Sequence, residues 1–382
     1  MSLSLAAILH ESAERRPDHP AVVLGGSAVT YRELWHGARQ YAAVLRAAGV
    51  GPGDRVAILI PNTVHFPLAY YGVLALGATV VPVHALLRAE EIAYVLEDSG
   101  AKALVCAGPL LGEGAKGAEL AGVEVFTVLS GDGGSGMRRL DAEAAGVVPI
   151  DTYVLREAGD VAVVLYTSGT TGKPKGAMLT HLNLLMNVEA LALSAFDIGR
   201  DDRVLGCLPL FHSFGQTVSM NLSFRVGATV VMLPRFNAIE ALRLLTEERC
   251  TIFMGVPTMY VALLAAAKRA ADVPAALRFG VSGGSSLPLT VLEEFEAAFG
   301  IPVYEGYGLT ETSPVATFNQ QDWPPKPGTI GRPIWGVDVE IARPEVEKTV
   351  ELLPTGELGE LVVRGHNVMK GYLNRPEATA EV

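Results

Sequence analysis

The chain has 382 residues, 49% of them apolar and 19% charged, with a formal net charge of −11. That apolar share supports a large core and excludes a globally disordered chain, and the length leaves room for two or three packed units. The acidic balance argues against a nucleic-acid binder and against a basic membrane-surface patch.

The opening segment, Met1–Glu11, lacks a basic stretch and reads as an amphipathic first helix rather than a signal peptide. Strand and helix patterns then alternate: Arg55–Ile60 strand, Val64–Leu76 helix, Thr79–Val83 strand, Glu90–Asp98 helix, Ala103–Cys106 and Val123–Leu129 strands. The longest apolar-rich stretch, Val73–Leu87, is broken by Gly77, Pro82 and His84, so no segment is expected to span a bilayer. Ser130–Gly136 is a polar loop whose Gly131–Gly136 matches G-x-G-x-x-G. A dinucleotide fingerprint must open a helix leading into another βαβ unit, and only the short, charged Met137–Ala145 follows.

Next comes the most informative stretch. The apolar run Val161–Leu165 reads as a buried strand, and Tyr166-Thr-Ser-Gly-Thr-Thr-Gly-Lys-Pro-Lys-Gly176 as the loop leaving its end. Glycines let a backbone approach an anion, hydroxyls and N–H groups wrap phosphate oxygens, and Lys173 and Lys175 add charge. The loop predicts a nucleoside triphosphate ligand. It is not a Walker loop, because Gly169 and Gly172 are three apart and Pro174 stops a helix from starting at Lys173.

Alternation resumes with strand Ala228–Leu233, helix Ala238–Arg249, strand Ile252–Met254, helix Pro257–Ala270, strand Leu277–Ser282, helix Leu289–Phe299 and strand Val303–Tyr304. Gly280-Val-Ser-Gly-Gly284 imitates a nucleophile elbow, but residues 283–286 intervene before Pro288 marks the helix start, where an elbow begins its helix at once. Beyond Gly331, the short strands Val337–Ile341, Glu351–Leu353 and Glu360–Arg364 suggest a small antiparallel unit, joined by the Pro-rich Trp323–Pro333. Runs apolar on both faces and separated by helices imply parallel sheets covered on both sides. The expected fold is α/β: two doubly wound, mostly parallel sheets over about 1–160 and 161–330, plus a small β unit over 331–382. Cys106, Cys207 and Cys250 are far apart in apolar segments and read as buried thiols of a reducing, cytoplasmic compartment.

Four stretches in order carry a resemblance: Tyr166–Gly176, Pro209-Leu-Phe-His-Ser-Phe-Gly215, Tyr304-Glu-Gly-Tyr-Gly-Leu-Thr-Glu-Thr312 and Gly356-Glu-Leu-Gly-Glu-Leu-Val-Val-Arg-Gly365. Together they resemble the acyl-adenylate-forming (AMP-binding) superfamily, which includes acyl-CoA synthetases, firefly luciferase and peptide-synthetase adenylation domains. The resemblance implies ATP and Mg2+ as cofactors and CoA as co-substrate. Glu311 matches the family's magnesium-binding glutamate and Thr310 its α-phosphate contact, while Thr167, Ser168, Gly169, Thr170, Thr171, Gly172, Lys173 and Lys175 take the β and γ groups. Gly283, Gly284 and Ser285, facing Glu305, Gly306 and Tyr307, are expected to form the adenine slot. Tyr307 matches the stacking aromatic, with Tyr304 not separated from it.

The acyl group is expected beside Phe211, His212, Phe214, Met254, Gly255, Val256, Pro257, Tyr260 and Ser282, with His212 matching a residue beside the carboxylate. His212 stands where amino-acid-activating relatives carry Asp, and the helix after Pro257 offers no cation before Lys268 for a dicarboxylate. An apolar lining fits a medium- or long-chain fatty acid, or an aryl carboxylate. The expected function is therefore an ATP-dependent acyl-CoA ligase. Alternatives are an acyl-AMP ligase delivering to a carrier protein and a non-catalytic acyl-adenylate-binding lobe. The family continues with a ribose-binding Asp, a hinge and a lid domain beyond the motifs matched here, so the 382 residues taken alone are expected to bind ATP and acid but to be impaired in catalysis. Oligomeric state is not legible.

Overall fold

Short strands of Val, Ile, Leu and Ala, buried on both faces, build two large sheets. The computed structural model describes residues 3–129, 136–167, 172–269, 273–346 and 349–382. The first sheet runs Arg138–Arg139, Glu124–Val128, Ala103–Ala107, Arg55–Leu59, Thr79–Pro82, Val161–Thr167, Lys175–Thr180, all parallel except the last. The second runs Arg332–Pro333, Val315–Phe318, Val303–Gly308, Phe279–Ser282, Ile252–Gly255, Arg203–Gly206, Thr229–Met232, Pro20–Leu24, Ser27–Thr30. Its six central strands are parallel and its edges antiparallel. Val337–Ala342 and Glu360–Gly365 pair as a separate antiparallel ribbon. The α/β expectation holds.

Two details differ from the sequence reading and a third agrees with it. The sheets do not divide the chain near residue 160, since Val161–Thr167 pairs with Thr79–Pro82 of the first sheet while Pro20–Leu24 pairs with Thr229–Met232 of the second. Glu351–Leu353 is no strand, because only Leu352 forms a bridge, to Ala342. After Gly136 comes the strand Arg138–Arg139, which confirms that no dinucleotide helix starts there; residues 131–135 lie outside the described set.

The helix Tyr31–Ala47 opens with a reciprocal capping box, Thr30 accepting from the Glu33 N–H at 3.2 Å and Glu33 from the Thr30 N–H at 2.8 Å. It packs on the helix His65–Ala75, nine of whose eleven residues are buried. Close approach of the two depends on Gly72, where a Cβ would stand 2.8 Å from the Ala38 carbonyl oxygen. With His181–Ala190 and Leu222–Val226, these helices fill a core shared by both sheets. Ala89–Ser99 and Leu111–Ala121 cover the outer face of the first sheet, and Ala238–Glu247, Pro257–Ala267 and Leu289–Phe299 that of the second. The layers alternate helix, sheet, helix, sheet, helix.

Candidate functional site

Parallel strands aim their carboxyl ends at one rim, and open α/β sheets bind ligands there. Arg203–Gly206, Ile252–Gly255, Phe279–Ser282 and Val303–Gly308 end together beneath a cavity of about 410 Å³. Gly283 and Gly284 form one edge, and Gly306, Tyr307, Gly308, Leu309 and Thr310 another. Gly284 has φ +83°, a conformation glycine adopts without strain, and a Cβ on Gly283 would sit 3.2 Å from the Phe214 ring. Deeper walls come from Phe196, Leu208, Phe214, Val218, Val256, Val281, Val315 and Phe318. No Lys, Arg, Asp or Glu is among the described residues that line it.

One wall is a π-helix, Phe214–Asn221, an uncommon form frequent at functional sites. Buried polar groups hold it. The Tyr70 hydroxyl donates to Gln216 Oε1 at 3.3 Å, Gln216 Nε2 donates to the Leu210 carbonyl at 3.2 Å, and the Tyr71 hydroxyl donates to Asn221 Oδ1 at 2.8 Å. Asn62 donates to the carbonyls of Gly206 and Leu208 at 3.2 and 2.7 Å and accepts from the Leu210 N–H at 3.0 Å.

His212 stands at the cavity wall, its ring reached by solvent on one side and packed on the other. Phe211 lies 4.7 Å away and His84 5.5 Å away at a near-perpendicular angle. Desolvation, then repulsion from His84, lowers the His212 pKa, so the imidazole is neutral at neutral pH. His84 was read only as a break in an apolar stretch and not as a site residue, since an isolated histidine just past a strand gives no signal.

The predicted residues separate into those that meet and those that do not. Tyr307 lines the cavity, whereas Tyr304 packs against Phe279 at 6.1 Å and Phe318 at 6.2 Å. Ser285 is exposed beyond the rim. Glu305 is buried and accepts from the Leu287 N–H at 2.8 Å; burial raises its pKa and that hydrogen bond lowers it. Of the acyl-side residues, His212, Phe214, Val256 and Ser282 line the cavity. Phe211 packs on His84 at 4.4 Å, and Met254, Gly255 and Pro257 lie outside the lining. Tyr260 is buried in the outer core against Phe253 at 5.0 Å and Phe295 at 4.7 Å, because its helix turns that side outward. The Ser282 hydroxyl is buried without a hydrogen-bond partner among the described residues, so none of them is a base placed to activate it, and the elbow reading fails.

The strands on either side of the phosphate loop pair antiparallel, Thr167 with Lys175, as the two arms of a hairpin. Ser168, Gly169, Thr170 and Thr171 lie outside the described residues. Gly172 is exposed; Lys173 Nζ stands 5.1 Å over the Tyr94 ring, and the Tyr94 hydroxyl donates to the Pro174 carbonyl at 2.8 Å. Glu311 adjoins this hairpin rather than lining the cavity. Its Oε1 accepts from Thr167 Oγ1 at 3.4 Å and from the Tyr372 hydroxyl at 2.7 Å. Burial and the Glu311 carboxylate hold the Tyr372 phenol far above its ordinary pKa, so it stays a donor. Tyr94 and Tyr372 escaped the sequence reading, since a lone tyrosine carries no spacing that marks it as a site residue. No cluster of three His, Cys, Asp or Glu side chains suited to a metal occurs among the described residues. Glu311 and Thr167 provide oxygen donors only, the kind Mg2+ takes alongside phosphate oxygens and water.

The geometry has counterparts in known proteins. The chain is 34% identical over 411 aligned positions to a long-chain-fatty-acid–CoA ligase of Bacillus subtilis (strain 168), covering 99% of this chain and 72% of that protein. It is 38% identical over 372 to a feruloyl-CoA synthase of an Amycolatopsis species, covering 97% and 72%. The crystal structure of ATP-bound MatB from Rhodopseudomonas palustris superposes with a TM-score of 0.89 at 33% identity, covering 99% of this chain and 73% of that one. Residues 9–373 match a family described as AMP-binding enzyme, and the chain belongs to that family of adenylate-forming acyl-CoA ligases.

Proposed function

We propose that the cavity and the adjoining hairpin activate a carboxylic acid with an uncharged, apolar chain, a medium- or long-chain fatty acid, with ATP and then pass it to CoA. A carboxylate oxygen attacks the α-phosphorus and pyrophosphate leaves; the CoA thiol then attacks the acyl carbonyl carbon and AMP leaves. Both first reactants are anions, so the site has to screen and align them. Thr310 at the rim contacts the α-phosphate, Lys173 and Lys175 meet the β and γ groups, and Tyr307 with Gly283 and Gly284 forms a flat slot for adenine. Glu311 and Thr167 would hold Mg2+, which when bound neutralises phosphate charge. His212, neutral, borders the carboxylate without drawing it into an ion pair. The carrying observation is the uncharged apolar depth below Thr310, from Val218 and Val256 to Phe318. An ammonium or second carboxylate would be desolvated there without a partner.

An aryl carboxylate is the second reading, supported by the rings of Phe196, Phe214, Tyr307 and Phe318 and by the likeness to a feruloyl-CoA synthase. Thermal stability is the test, first with Mg-ATP and then with non-hydrolysable acyl-adenylate mimics of increasing chain length. A ligand at about 100 times its Kd adds roughly 2.7 kcal/mol. Stabilisation growing with chain length is the expected outcome. A shift with aryl mimics alone moves the substrate to an aromatic acid, and no shift with any ligand overturns the adenylate reading.

A further inference from the structure

Three separately placed groups converge on Tyr372. Its hydroxyl donates to Glu311 Oε1 at 2.7 Å, and Lys175 Nζ lies 5.2 Å over its ring. Its backbone extends the edge of the hairpin through a bridge to Ala177. The Met178 N–H donates to the Gly371 carbonyl at 2.9 Å and the Leu373 N–H to the Gly176 carbonyl at 2.8 Å. The Met369 N–H donates to the Glu311 carbonyl at 2.8 Å, so one short segment grips both the phosphate hairpin and Glu311. Tyr372 is 9% exposed. Thr167 reaches the same carboxylate oxygen, and Oε2 has no hydrogen-bond partner among the described residues.

We propose that Tyr372 is a positioning residue: it holds Glu311 by Oε1 and leaves Oε2 free for the Mg2+ that accompanies ATP, while its ring sets the rest position of Lys175. The proposal builds on the ATP-binding reading above. A charge-assisted hydrogen bond of 2.7 Å restrains the carboxylate to one rotamer before the ligand arrives, so less ordering remains to be done on binding. A purely structural role for the bond would instead affect ATP with or without the metal.

ATP affinity is measured by calorimetry with and without Mg2+ for the wild type, Y372F, E311Q and the double variant. Y372F keeps the ring under Lys175 and removes only the donor. It is expected to weaken Mg-ATP binding about tenfold, raise the half-saturating Mg2+ concentration by a similar factor, and leave Mg-free ATP binding unchanged. In the E311Q background, Y372F is expected to change Mg-ATP affinity by less than about twofold, because its effect runs through the missing carboxylate. Equal losses with and without Mg2+, or a full tenfold loss retained in E311Q, would overturn the role of Tyr372. If Y372F loses its cooperative melt, Y372H keeps a ring and a donor; affinity within about threefold of wild type supports the proposal, and a tenfold loss opposes it. A wild type that binds no ATP overturns the ATP-binding reading itself, and this proposal with it; normal wild-type binding with an additive Y372F loss overturns only the proposal.

Discussion

At the scale of single residues, the largest histidine contribution to the pH response comes from His181. It is 1% exposed, heads the helix His181–Ala190 and accepts at Nδ1 from the Leu5 N–H at 3.0 Å. Desolvation, then Arg156, lowers its pKa to about 4, and the positive end of the helix dipole acts in the same direction. The unfolded chain takes up that proton as pH falls through about 6.5, while the folded site resists until about 4. Stability therefore falls between those values and the slope ends below them, a total of about 3 kcal/mol for this group. Urea unfolding at pH 7 and pH 5 should show the loss, and H181N, which keeps an acceptor near the Leu5 N–H, should flatten it. An equal slope in H181N would remove His181 as the cause. The three thiols are silent here, since burial pushes each of them up to about 12.

Residue-scale legibility was uneven for physical reasons. Gly283, Gly284, Tyr307 and Thr310 occur in local runs of glycine, hydroxyl and aromatic residues, and the strand ends carry them to the cavity. Tyr260 was misplaced because Pro257–Ala267 is apolar nearly all round, so the pattern names no inner face. Tyr372 was invisible because its partner Glu311 lies 61 residues away.

Among elements, the cavity wall depends on one side chain from the opposite sheet. Asn62, just past the strand Arg55–Leu59, makes three hydrogen bonds to the segment 206–210. N62A would leave two carbonyls and an N–H buried without those partners, and a loss of about 2–4 kcal/mol in urea unfolding is expected. It should also weaken acyl-adenylate mimics, since Leu208 lines the cavity. A loss below about 0.5 kcal/mol would mean that water replaces the amide. Most strands in the parallel core were read to within a residue or two because they are short, apolar and buried on both faces, but Pro20–Leu24 and Arg203–Gly206 were not read and Val303–Gly308 was read four residues short. The antiparallel partner Lys175–Thr180 was missed, as its glycine and lysine suggest a loop until Val161–Thr167 is there to pair with it.

On the scale of the whole molecule, the two sheets are interlocked rather than consecutive. Pro20–Leu24 crosses to the second sheet, Val161–Thr167 and Lys175–Thr180 return to the first, and a single core contacts both. A fragment of residues 1–160 would carry the pair Pro20–Leu24 and Ser27–Thr30 without its partner Thr229–Met232 and leave Thr79–Pro82 as an open, apolar edge. Neither 1–160 nor 161–330 should unfold cooperatively in calorimetry, whereas the whole chain should show the two sheets melting together. Two well-separated transitions of the whole chain, or a cooperative fragment 1–160, would contradict the interlock. No described helix is long and apolar enough to cross a membrane.

What the sequence determined by itself was the class of chemistry and the parallel α/β architecture. A phosphate loop needs glycine, hydroxyl and lysine side by side, and a doubly covered sheet needs continuous apolar runs, so both are local properties of the chain. Only the tertiary structure decided which strands exchange between sheets, which face of Pro257–Ala267 turns outward, and that Tyr372 meets Glu311. These depend on contacts between residues tens to hundreds of positions apart, for which the closure of long loops and the packing of a shared core, not any local pattern, select the partner.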